Sequence, residues 1–192
     1  MVRNGKILVV LGCILIMISG IMMSYNNYNN KRAFTESHKI YQKIQTKVLE
    51  EVTVDENNEF TEEMKTVNID GNNYIATISI PVLDIELPVM ADWDYKKMKI
   101  APCRYYGSIM TNDLVICAHG YDNLFGRIKN LTSGDLLVLT DMNNNEYIYK
   151  VEVIEVLSPN DVKEMVESEF DLTLYTCTID NLNRVTVRLN RV

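Results

Sequence analysis

Residues 7–23, ILVVLGCILIMISGIMM, form an unbroken run of 17 residues without a charge, and that run constrains this chain more than any other feature. A bilayer core offers no water to backbone N–H and C=O groups, so such a segment satisfies them internally as one helix. At about 1.5 Å per residue it spans about 25 Å, the short end for a hydrocarbon core of about 30 Å. A cleaved signal peptide should close on a small-x-small site, and Ser19, Gly20, Ile21, Met22 and Met23 supply none. Cys13 follows Gly12 as in a lipoprotein box, but the apolar stretch before it, residues 7–11, is too short for that reading. The expectation is an uncleaved anchor. Arg3 and Lys6 precede the run and the next charges are Lys31 and Arg32, a bias that favours a cytoplasmic N-terminus and an exported C-terminal part.

The rest of the chain is long enough for one core-bearing domain and too short for two full ones. Residues 24–192 hold 17 of the 19 basic residues and all 26 acidic ones, a net charge of −9. So acidic a surface repels phosphate backbones, which argues against nucleic acid as a partner. Residues 24–30 (SYNNYNN) are polar and low in complexity and read as a juxtamembrane spacer. Over residues 35–51, Ile40, Ile44 and Val48 recur at intervals of four, which predicts a leader helix. Residues 52–71 are acidic and irregular, with turn signals at Asn57-Asn58 and Asp70-Gly71. This leader is either a spacer or an element covering the domain that follows.

From Tyr74 onward short β-like stretches succeed one another: residues 74–80, 84–90, 114–118, 136–140, 146–157, 172–177 and 184–189. Their number and spacing predict a mostly β antiparallel barrel or sandwich, with short helices near 95–99, 124–130 and 161–168. No repeat of fixed period appears.

Three residues at strand mouths could carry chemistry. Cys177 ends an apolar strand (TLYTC) beside a polar turn, where a nucleophile finds partial exposure. His119 ends another (VICAHG), and Arg184 opens the last strand across the turn from Cys177. A thiol to attack a carbonyl, an imidazole to protonate a leaving amine and a guanidinium to hold developing negative charge make an acyl-transfer set. Each residue also has an ordinary alternative: a buried core cysteine, a satisfied histidine, a rim charge. Cys117 lies in an apolar run and reads as core, and Cys103 could pair with it only if the geometry allows; free thiols are expected. The other histidine, His38, falls on the leader helix and reads as solvated surface. The four cysteines show no zinc-like spacing. Asp161, Glu164, Glu167 and Glu169 lack a regular ligand pattern and read as a solvated loop, so neither a metal nor a cofactor is expected.

TLYTC followed by NRVTVR resembles the sortase signature, a Thr-Leu-x-Thr-Cys strand and then an arginine. NDLVICAHGYDNLFGRIKNLTSGDLLVLTD resembles the sortase histidine region, and ISIPVLDIELPVM its opening strands. The resemblance covers residues 74–192, with the three motifs in the family's order. It implies a sortase-type eight-stranded β-barrel and a cysteine transpeptidase that cleaves a Leu-Pro-x-Thr-Gly-like sorting signal through a thioacyl-enzyme. It also implies partners: exported proteins bearing the signal, and a cell-wall peptide or pilin amine as acceptor. Cys177 matches the nucleophile, His119 the general acid and Arg184 the substrate-orienting arginine. Thr176 matches the motif's threonine and is expected in substrate binding. Arg188 competes with Arg184, because strand alternation puts both on one face.

Where many sortases carry a small residue this chain has Cys117, and KIAPCRYYGS departs from the Gly-rich, His-containing form of several classes. No apolar segment follows the last strand, which leans away from the pilin-polymerising class. The expected division is residues 1–23 as cytoplasmic N-terminus and anchor, 24–71 as spacer with leader helix, and 72–192 as catalytic barrel. The rival readings are a cysteine endopeptidase that releases its acyl group to water and a non-catalytic, envelope-binding barrel.

Overall fold

The computed structural model describes residues 2–52 and 64–192. Helix α1 runs Val2–Val52 without a break, so the stretch expected as a spacer, residues 24–30, is helical. Neither Gly nor Pro falls between Gly20 and Val52, and extending an existing helix costs far less than nucleating one, so Asn and Tyr residues of modest propensity are carried along. The first 32 residues and residues 33–192 form separate compact units. In the first, the large apolar side chains from Ile7 to Met23 stand 43–77% exposed, as a lipid-facing helix requires, and the helix is long and apolar enough to cross a membrane. The turn signal at Asn57-Asn58 lies outside the described residues.

The second unit contains strands β1 (Val67–Ile69), β2 (Asn72–Ile80), β3 (Ile85–Met90), β4 (Cys103–Tyr106), β5 (Leu114–Cys117), β6 (Leu136–Asp141), β7 (Glu146–Leu157), β8 (Leu172–Cys177) and β9 (Arg184–Arg191). Hydrogen-bonded neighbours follow the order β2-β3-β4-β5-β8-β9-β7-β6, and β6 pairs back onto β2, with Ala76 opposite Asp141 and Ser79 opposite Val138. The result is a closed eight-stranded barrel, as the resemblance implied. Closure removes the open edges that a sheet of this size would otherwise expose. Most pairs are antiparallel, whereas β3–β4 and β5–β8 run parallel.

Two strands went unread in the sequence. β1 forms a hairpin with β2 across Asp70-Gly71, whose φ values of 50° and 83° are those of a turn that Asp-Gly favours. β4 is short, bulged and only half-buried, so its alternation is weak. The expected helices shrink to 3-10 turns at Lys97–Lys99 and Ile128–Asn130 and to α2, Val162–Val166.

Strand alternation splits the buried residues into two sets. Ile78, Leu87, Leu114, Ile116, Leu139, Leu172, Leu174 and Val187 belong to the barrel interior, joined by Leu124, Phe125, Ile128 and Leu131 from the loop after β5. The alternate positions, among them Val115, Cys117, Cys103 and Tyr175, form a second cluster on the outer wall. Ile44 and Val48, the leader stripe spaced by four, are 2% and 6% exposed there and cover that wall together with β1. Lys43 reinforces the contact by donating to Asp70 at 2.6 Å.

Candidate active site

Strands β5 and β8 run side by side and end together, and β9 begins beside the end of β8. Cys177 and Arg184 are direct cross-strand partners on β8 and β9, so their side chains leave the sheet on the same face. The turn joining them is held by its own polar groups. The Thr178 amide donates to the Asn183 carbonyl at 2.9 Å and the Asn183 amide to the Thr178 hydroxyl at 3.0 Å. The Thr178 hydroxyl also donates to the Asp180 carboxylate, which accepts the Leu182 amide at 3.1 Å. Asn181, with φ of 60°, takes the left-handed position that asparagine tolerates. Cys177 and Arg184 are both half-buried, and among the described residues the guanidinium donates to the neighbouring Asn183 carbonyl alone, at 3.1 Å. That leaves most of its donors directed elsewhere.

His119 follows the last residue pair of the parallel β5–β8 ladder. The Ala118 amide donates to the Tyr175 carbonyl at 3.3 Å, and the Thr176 hydroxyl donates to the Ala118 carbonyl at 2.9 Å. The His119 amide is anchored to the Met98 carbonyl at 2.9 Å. At Gly120 a Cβ would touch the Cys177 carbonyl at 3.5 Å, which shows how closely the histidine segment passes the Cys177 backbone. The loop then folds back: a Cβ on Gly126 would lie 2.6 Å from the Gly120 carbonyl oxygen, a backbone clash that makes glycine the residue for this position. Phe125 and Ile128 of the Phe-x-x-Ile-x-x-Leu pattern are fully buried, so that motif clamps the loop to the barrel. The structure therefore brings Cys177, His119 and Arg184 to three adjoining strand ends.

The imidazole meets the Tyr121 ring edge-on, with centroids 4.2 Å apart at 84°. Its pKa is lowered, first by burial and then by the Lys99 ammonium, so it is largely neutral at neutral pH. Neither Tyr121 nor Lys99 was singled out in the sequence. The i+2 spacing of Tyr121 after His119 carries no recognisable signal, and Lys99 belongs to another segment.

Thr176 is 3% exposed and points to the opposite face from Cys177. Its hydroxyl is committed to Ala118, so it holds the histidine segment from behind the site. Arg188 lies two positions deeper than Thr186 on the Arg184 face and is also 3% exposed. Nε donates to Glu155 at 2.8 Å, Nη1 to Thr173 Oγ1 at 2.9 Å and the Met165 carbonyl at 3.3 Å, and Nη2 to the Glu164 carbonyl at 2.7 Å. That guanidinium is spent on tying the β7–β8 connection to the barrel wall. In the same connection the Asp161 carboxylate accepts the Ser158 amide at 2.9 Å. Among the described residues no group of three or more His, Cys, Asp or Glu side chains is placed to hold a metal ion.

Residues 78–192 match the family model of the Sortase domain. The chain is 26% identical over 202 residues to sortase A of Bacillus anthracis, covering 96% of this chain and 94% of that one. Among solved structures, sortase C1 of Streptococcus suis superposes with a TM-score of 0.53 at 27% identity, over 62% of this chain and 73% of that one. Sortase C of Streptococcus pneumoniae gives 0.61 at 22% identity, over 80% and 96%.

Proposed function

Because this chain belongs to the sortase family of cysteine transpeptidases for surface proteins, we propose that it cleaves a Leu-Pro-x-Thr-Gly-like sorting signal and transfers the acyl half to an envelope amine. The observation that carries this reading is the direct pairing of Cys177 with Arg184, with His119 anchored on the neighbouring strand end. In the first step neutral His119 takes the thiol proton, and the Cys177 thiolate attacks the carbonyl of the Thr–Gly-type bond. Arg184 donates to the oxygen as it gains charge. His119 then returns its proton to the leaving amine, and a thioacyl-enzyme remains. An amine from a cell-wall peptide or a pilin lysine attacks the thioester, gives its proton to His119 and releases the thiol. Thr176 serves by keeping Ala118 and His119 in place.

The N-terminal helix fits a membrane anchor, and Arg3 and Lys6 support a cytoplasmic N-terminus with the barrel outside the membrane. Protease added to intact spheroplasts should then remove the barrel; a fully protected barrel would reverse the orientation.

The test of activity uses the full chain in detergent micelles, a panel of sorting-signal peptides and intact-mass spectrometry. The expected result is a mass gain of one acyl fragment, absent in Cys177→Ala, with that variant still folded. Adding triglycine should divert product from acid to amide. Cleavage that stays wholly hydrolytic would favour the endopeptidase reading, and cleavage that survives in Cys177→Ala would refute the assignment of the nucleophile.

A further inference from the structure

Cys103 and Cys117 take no part in the proposed chemistry, yet they are opposed in register on antiparallel β4 and β5. Directly opposite residues in an antiparallel pair have Cα atoms about 4.5 or 5.5 Å apart, and both values fall within the about 4.4–6.8 Å of disulfides. Their side chains share one face of the sheet, in the outer-wall cluster, and both residues are fully buried. We propose that Cys103 and Cys117 form a cross-strand oxidation site that closes to an intramolecular disulfide as β4 and β5 assemble. Both are free thiols in this structure.

The neighbouring strand explains the choice of partner. Cys117 is paired with Tyr175 on β8, and Cys177 lies two residues farther along. Two residues of rise and one strand spacing put the Cys117 and Cys177 Cα atoms about 8 Å apart, beyond the about 7 Å that a disulfide can bridge without backbone movement. Cys117 can therefore reach Cys103 but not the nucleophile. Closure removes a thiol that would otherwise sit beside Cys177 while the chain folds. It also ties β4 to the strand that leads into His119. Closure does not depend on the catalytic reading; only its consequence for Cys177 does.

The reaction is thiol–disulfide exchange with a small disulfide such as oxidised glutathione. One thiolate attacks the glutathione disulfide and expels a glutathione thiolate, leaving a mixed disulfide. The second protein thiolate attacks the protein sulfur of that mixed disulfide, forms the Cys103–Cys117 bond and expels the second glutathione. The protein is oxidised by two electrons, and both protein protons end on glutathione. Timing follows from burial, which pushes the Cys103 thiol up to about 12 and the Cys117 thiol higher. In the completed barrel neither forms a thiolate readily, so exchange belongs to the stage at which β4 and β5 have paired but the outer wall over them is not yet covered.

The full chain in detergent micelles is denatured, reduced and refolded with reduced alone or with mixed reduced and oxidised glutathione. It is then denatured and alkylated, and its mass and peptides are read. After oxidative refolding the protein should be lighter by two hydrogens before alkylation, with Cys13 and Cys177 alone alkylated and a linked peptide joining Cys103 to Cys117. Transfer activity on the sorting-signal peptide should equal that of the reduced preparation. The ring closes 15 residues, so the Tm should rise by about 6–12 °C over the reduced preparation. Cys103→Ala should abolish that difference. Four alkylated cysteines after oxidative refolding, or a linked peptide containing Cys177, would overturn the proposal. The thiol count on the unsubstituted chain stands whether or not the variant folds.

Discussion

Replacing Arg188 with methionine separates the two arginines that share a face of β9. The methionine keeps much of the buried volume, so the cavity left behind is small. What is lost is the set of donors: the Thr173 hydroxyl, on a residue 1% exposed, and the Glu164 and Met165 carbonyls all lose their bonds to Arg188. The Thr173 and Met165 bonds are buried, and each acceptor left unpaired there costs about 1–3 kcal/mol, whereas Glu164 is an exposed residue whose carbonyl can regain water. Glu155 adds little, because its side chain is 38% exposed and the freed carboxylate regains water. Removing a buried guanidinium also recovers part of its desolvation cost. The net expectation is a loss of about 3 kcal/mol, equivalent to a fall in Tm of about 6–12 °C. Urea unfolding of the full chain in micelles, followed through Trp93, measures it, and tryptic cleavage at Lys163 should accelerate as the β7–β8 connection loosens. Arg184→Ala should behave in the opposite way. Among the described residues its guanidinium bonds to an adjacent carbonyl alone, so stability should change by less than about 1 kcal/mol while kcat/KM falls by about 10²–10³. An Arg188→Met protein of unchanged stability whose kcat/KM falls as far as that of Arg184→Ala would refute the argument.

Lys99→Gln removes a positive charge that disfavours the imidazolium, so the His119 pKa should rise toward the ordinary value of about 6.5 without fully reaching it, because burial remains the larger cause. NMR titration in a His38→Gln background, where His119 is the sole histidine, reads this directly; an unchanged or lower pKa would refute it. Since the folded value lies below the unfolded one, the unfolded chain binds more protons in that window, and stability should be lost as pH falls from about 6.5 through the folded value. Thr176→Val keeps the shape and deletes the bond to Ala118, so kcat should fall several-fold with KM nearly constant. A rise in KM alone would instead place Thr176 against substrate.

Much of this protein was legible because the informative features are local. The apolar run of residues 7–23 announces a membrane-length helix from composition alone, alternation marks β2 and β7, and an apolar run marks β8, all without help from their partners. Cys177 and Arg184 sit at the two ends of one short turn, so a hairpin reading already sets them side by side. β4 escaped notice because four residues with a bulge show no period, and β1 because three residues cannot. The helical character of residues 24–30 was hidden because propagation from flanking turns outweighs the preferences of Asn and Tyr.

Tertiary structure decided what depends on register and depth. Alternation puts Arg184 and Arg188 on one face, but only the packing of the β7–β8 connection over one of them makes Arg188 a buried clamp and leaves Arg184 beside Cys177. Thr176 reads as a motif residue in sequence, whereas the parallel β5–β8 pairing aims its hydroxyl at Ala118. Cys103 and Cys117 are fourteen positions apart along the chain, and β4–β5 pairing alone sets them opposite each other. The physical reason is common to all three. Chain-local forces set which residues form a helix, strand or turn, while the choice of strand partner is made by burying one face of each strand, and a one-residue slip would move every side chain to the other side.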